Sequence, residues 1–179
     1  MTFHPEVGFC GALYHLGLGA LTREAKLALC AAPLPALSLA GAGAGASGMP
    51  SPAEAAPLSP DLLATRVAEA FGAIHRAKAG KILYCNVLMD LTPDPDGAGW
   101  SDAAVIPDVG ILVSRDPVGL DQATADFLNM QTGIPGTRLL DPGTPDKIRS
   151  LAPAADWDYL LELVERQGLG SRDYELLII

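Results

Sequence analysis

Residues 82–89 read Ile-Leu-Tyr-Cys-Asn-Val-Leu-Met, an almost unbroken apolar run with the length of one strand. A strand with one wet face alternates apolar and polar residues, so a continuous run predicts a strand covered on both faces, as in a parallel sheet. Val109 to Val113 predicts a second such strand. Between and around them the chain carries helix signals. Ser59 is placed to cap a helix, Pro60 takes its first position, Asp61 favours the dipole, and Leu63, Val67, Phe71 and Ile74 form one stripe up to Gly80. Asp116-Pro117 repeats the cap-plus-proline signal and opens a helix through Leu120, Ala123, Phe127 and Leu128 to about Gly133. Trp157, Leu160, Leu161 and Val164 trace one more, stopped by Gly168, and Tyr174 to Ile179 reads as a last strand. This order predicts the α/β class: a single layered domain with a small, mostly parallel sheet flanked by helices and joined by right-handed crossovers.

The N-terminal part reads as a glycine-interrupted helix from Gly8 to Cys30, with Leu13, Leu16, Leu18, Leu21 and Leu27 apolar and Arg23, Glu24 and Lys26 on the other face. The 27 residues from Leu27 to Ala53 carry no charge. They are mostly Ala, Gly, Pro and Ser, too weakly apolar and too broken by proline to insert in a membrane as a helix. The expected organisation is therefore a helical segment over 1–32, a flexible linker over 33–58, and an α/β core over 59–179 that forms one domain with 1–32.

Twelve basic against twenty-one acidic residues give a formal charge of −9, which repels phosphate backbones and excludes nucleic acid as an expected partner. Three cysteines, Cys10, Cys30 and Cys85, stand without any CxxC pair and read as reduced thiols, neither a disulfide framework nor a zinc or cluster site. With no basic n-region and apolar run at the N-terminus, the expected location is cytoplasmic.

Several phrases together carry a family resemblance. They are Gly8-Phe-Cys-Gly-Ala-Leu13 after His4, Gly17-Leu-Gly19, Thr22-Arg-Glu-Ala-Lys-Leu27, Leu83 to Pro93, Ile106 to Pro117, Asp121-Gln-Ala123, and Gly168-Leu-Gly170 with Tyr174. The chain resembles the family known as domain of unknown function 362, whose members are often labelled uncharacterised iron-sulfur-centre proteins. The departures weigh against that label here. Family members usually carry a ferredoxin-like insertion where this chain has the Ala/Gly linker, and a Cys-Asp-Cys where it has Pro95-Asp96-Gly97. A cluster needs thiolates in numbers and spacing that are absent, so no cofactor is expected and an iron-sulfur cluster is not.

Candidate site residues remain, each with a structural alternative. The loop Asp90 to Asp102 gathers carboxylates after a strand, where open α/β sheets bind ligands. Read as a calcium loop from Asp94, it offers Asp96 and Asp102, but its fifth position is Ala98 and its twelfth Val105; a divalent metal competes with a solvated acidic turn. Asn86, inside an apolar strand, aims at a ligand or bonds a neighbouring loop. Thr92 lies in the phrase shared with the family. Asp116 caps a helix or acts chemically, and Asp108 with Asp121 would do acid-base work only if the fold placed them together. His4, His15, Arg23 and Lys26 form a small basic set able to hold an anion, and His75 is expected to be solvated.

Three functions follow. The first is a cluster-free, ligand-binding or partner-binding remnant of the family, working with a protein partner or as a homo-oligomer. The second is an enzyme whose site is built from Asn86, Asp90, Asp108 and Asp121 around a divalent metal or a small polar substrate. The third is a truncated or misdelimited gene product whose true start lies upstream of Met1.

Overall fold

A computed structural model describes residues 3–4, 8–9, 11–30, 59–94 and 99–179. The expected linker over 33–58 lies outside the described residues. Two short strands, β1 (Phe3–His4) and β2 (Gly8–Phe9), pair antiparallel and lead into α1 (Ala12–Gly19) and α2 (Arg23–Cys30). The expected single helix from Gly8 is therefore two, preceded by a strand. The break falls at Leu21-Thr22, where Thr22 Oγ1 accepts the Ala25 N–H at 3.2 Å and caps α2.

Helix α3 (Pro60–Ala77) starts as its signals predict: Ser59 Oγ accepts the Leu62 N–H, and Gly80 closes the turn beyond its end at φ +71°. Leu63, Val67 and Phe71 are buried on its inner stripe. Helix α1 packs across it at Gly17, where a Cβ would stand 2.9 Å from both a Val67 methyl and the Val67 carbonyl oxygen, so only glycine permits this approach. Strands β3 (Tyr84–Leu88) and β4 (Gly110–Ser114) follow, then α4 (Pro117–Met130), a short α5 (Lys147–Leu151) capped by Asp146, and α6 (Trp157–Arg166). Leu160, Leu161 and Val164 of α6 join Phe71 and Leu13 in one core cluster; Leu88, Leu91, Ile106 and Leu128 centre a second.

The sheet corrects the sequence reading twice. First, β3 and β4 are antiparallel, with Asn86 opposite Leu112 and Tyr84 opposite Ser114, so the mostly parallel sheet is not formed. A parallel neighbour needs a crossover that returns the chain to the starting end, usually by a helix. Here the connection folds back as a compact loop. Val105 N–H bonds the Leu91 carbonyl at 2.9 Å and Val109 N–H bonds the Leu88 carbonyl at 2.8 Å, delivering the chain beside the end it has just left. Second, the run 82–89 is apolar without being covered on both faces. Tyr84, Asn86 and Leu88 are buried against the helices, while Leu83, Cys85, Val87 and Met89 point to the opposite, exposed side. The architecture is α/β in two layers, with helices on one face of a two-stranded sheet. The expected last strand, Tyr174 to Ile179, forms no ladder with any described residue and is exposed. No helix among the described residues is long and apolar enough to cross a membrane.

Candidate functional site

The helix α1 begins at Gly11, which has no side chain to cap it. The first N–H groups of a helix lack partners within it, and its N-terminal end attracts negative charge. Asp121, one turn into α4 and 2 % exposed, supplies both needs from across the fold. Its Oδ1 accepts the Ala12 N–H at 2.8 Å and its Oδ2 the Leu13 N–H at 2.9 Å. Asn86 in β3 donates Nδ2–H to the same Oδ1 at 2.7 Å and to Thr124 Oγ1 at 2.9 Å, and Thr124 in turn donates to the Leu120 carbonyl. Three elements thus meet on one buried carboxylate. A Cβ at Gly11 would stand 2.5 Å from Oδ1 and 2.6 Å from Oδ2, so glycine here is what admits the carboxylate.

Burial pushes the Asp121 carboxyl up to about 6, against the downward pull of the Leu13, Asn86 and Ala12 donors. Beside it lies a cavity of about 10 Å³ lined by Phe9, Tyr14, Trp157 and Leu160 among others. That is room for about one water and not for an organic ligand. Gly8, at φ +85°, lets β2 run against α6, since a Cβ there would meet Trp157 Cβ at 2.7 Å.

The remaining candidates are dispersed. Asp116 caps α4, accepting the Val118 and Gly119 N–H groups at 2.9 and 3.0 Å, and its second oxygen accepts the Ser171 N–H at 2.9 Å. Asp108 accepts the backbone N–H of Asp90 at 2.8 Å, and Asp90 itself sits at φ +48° with an exposed side chain. Asp108 and Asp121 are therefore engaged with different partners. Thr92 Oγ1 donates to the Asp94 carbonyl at 3.3 Å. Asp94 pairs through Oδ1 with Arg138 at 2.5 Å, while its Oδ2 is buried with no partner among the described residues. Asp102 accepts the N–H of its neighbour Ala103; Asp96 lies outside the described residues, as does the side chain of His4 in β1. Arg23 is exposed at the start of α2. Among the described residues no three His, Cys, Asp or Glu side chains come together as a metal site.

His75, expected in solvent, is half-buried: Nδ1 shares a 2.6 Å hydrogen bond with Tyr84 Oη, and the rings stack at 6.1 Å. Burial and the Asp116 charge push the Tyr84 phenol up to about 12. The sequence reading also missed Thr124 and buried Lys147, whose ammonium donates to the Asn129 and Thr144 carbonyls at 2.8 and 3.0 Å. Asp121 and Thr124 stand three apart among Leu120, Ala123 and Leu128, a polar pair on an apolar helix face. That was the available signal.

Set against known protein families, residues 1–126 match a family model described as a domain of unknown function, DUF362. The chain belongs to the DUF362 family. The DUF362 match takes in β1 to β4 and ends within α4, so it contains the whole Asp121 junction and both strands of the open sheet. Helices α5 and α6 and the C-terminal segment lie beyond it. No curated protein matches the chain, and no solved structure does. Gly8, Gly11, Asn86, Asp116 and Asp121, which fall inside the DUF362 match, all serve here to join elements: two glycines make room, two aspartates cap helices, and Asn86 ties the strand to α4.

Proposed function

We propose that this DUF362 chain works as a protein-binding module, with the open face of the β3–β4 sheet as its contact surface and no cluster of its own. The observation that carries this reading is the row of apolar side chains on that face: Leu83 at 66 % exposure, Val87 at 40 %, Met89 at 48 %, Ile111 at 61 % and Val113 at 57 %. Cys85 sits among them, and no charged side chain interrupts them on either strand. Contiguous apolar patches are seldom left bare to water, and a two-stranded sheet is marginal without further cover. The three cysteines of the sequence fall short of the four thiolates a cluster takes, which supports a role without electron transfer.

Substituting Ile111→Asp together with Val113→Asp tests the reading. Both side chains face solvent in the lone chain, so its unfolding free energy is expected to shift by no more than about 0.5 kcal/mol per site. In a native extract the wild-type chain is expected to elute in size exclusion as a species larger than 18.6 kDa, and the double variant as the lone chain. Wild type eluting alone, or a larger species that survives both charges, would overturn the assignment.

A further inference from the structure

Resting on the reading that the open sheet face is a docking surface, we infer that its occupant is a second copy of this chain, whose C-terminal segment, residues 175–179, adds as a third strand along the free edge of β4. The segment has an anchored base. Ser171 N–H bonds Asp116, Tyr174 Oη donates to Asp126 Oδ2 at 2.8 Å, and Arg172 binds Gln122, Glu165 and Asp158, so the chain is fixed to α4 and α6 up to Tyr174. Beyond it, Glu175-Leu-Leu-Ile-Ile179 makes no ladder with any described residue, and Leu177 and Ile178 are 79 % and 88 % exposed. These residue types favour strands.

The complement is β4. Apart from its ladder with β3, no backbone hydrogen bond from a described residue reaches Gly110–Ser114. Such an edge is a template for another strand. Five extended residues span about 16–17 Å, the length of β4 itself. With a net charge of −9, two copies repel one another over most of their surface. The uncharged strand face and a segment whose one charged side chain is Glu175 are where they can meet. The base of the segment lies in the helix layer, against Gly119 and Asp126, on the far side of the sheet from the open face. Two copies exchanging segments would form a closed, two-fold pair. The segment lies beyond residue 126, where the family match stops.

Sedimentation velocity on the full chain over a roughly hundredfold concentration range tests this. Wild type is expected to pass from monomer to dimer, and Ile178→Asp and Val113→Asp each to raise the dissociation constant at least about tenfold. Mixing the two variants should restore a heterodimer through the one arm that remains intact, with Ile178→Asp donating its face and Val113→Asp its segment. Leu177→Lys is a second segment variant, and circular dichroism confirms that each is folded. A wild-type chain that stays monomeric while eluting large in extracts would overturn the second copy and leave the docking face standing. Loss of association on Val113→Asp but not on either segment variant would overturn the added strand alone, and association unaffected by all three would remove both.

Discussion

Asp121→Ala is expected to cost about 3–5 kcal/mol, leaving little of the 5–15 kcal/mol by which a domain of this size is usually stable. The substitution orphans three donors at once, the Ala12 and Leu13 N–H groups and the Asn86 amide, in a place where water has room for about one molecule. Each buried donor left without a partner costs about 1–3 kcal/mol, and the lost cap loosens α1 where it packs on α3. Asp116→Ala is the informative control. Asp116 also caps a helix, but at a half-buried site that water can reach, so its loss should cost about 1–2 kcal/mol. Urea denaturation followed by circular dichroism measures both. Equal losses for the two variants would mean that the junction of α1, β3 and α4 is not held by its carboxylate.

The same residue gives the chain an unusual response to pH. An acid whose folded-state pKa lies above its unfolded value binds its proton more tightly in the native state. Its stabilising contribution is complete below the unfolded value of 3.8 and is lost as pH rises through about 6. The gap corresponds to roughly 3 kcal/mol at most. The effect is read as a difference between wild type and Asp121→Asn, in which the carboxylates common to both chains cancel. Wild type should lose stability relative to Asp121→Asn between pH 4 and 6, and the two curves should run parallel above that range. A carbon-13 titration of the Asp121 carboxyl with a midpoint near 6 would support the same account, and one near 4 would contradict it.

What the sequence made legible follows from where its signals act. Helix starts are local: Ser59-Pro60 and Asp116-Pro117 open α3 and α4 at the expected positions, because a cap and a proline decide within four residues where the chain can begin to coil. Strand direction is not local. The run 82–89 specifies a strand, but its partner and sense depend on how residues 90–108 return, and the bonds from Val105 to Leu91 and from Ile134 to Val105 lie in no periodic pattern. Continuous apolarity in the run predicts cover on both faces, whereas Leu83, Cys85, Val87 and Met89 stand exposed on one of them. At the candidate site Asn86 and Asp121 were each singled out, while their meeting was not, because it joins residues 35 apart to an α1 cap 108 positions away. Tyr174 to Ile179 has the composition of a strand and no sheet partner within the described fold, which is what a strand completed by another chain would look like before it is completed.

Cys85 offers the most direct measurement of the central claim, because its thiol stands exposed on the open face between Val87 and Leu83. Alkylation by a small maleimide, followed by peptide mass spectrometry, reads whether that face is covered. The account predicts rapid labelling of Cys85 in the purified chain at high dilution and strong protection in the native extract. Labelling that is equally fast in both would mean that nothing docks on the sheet, and would contradict the account.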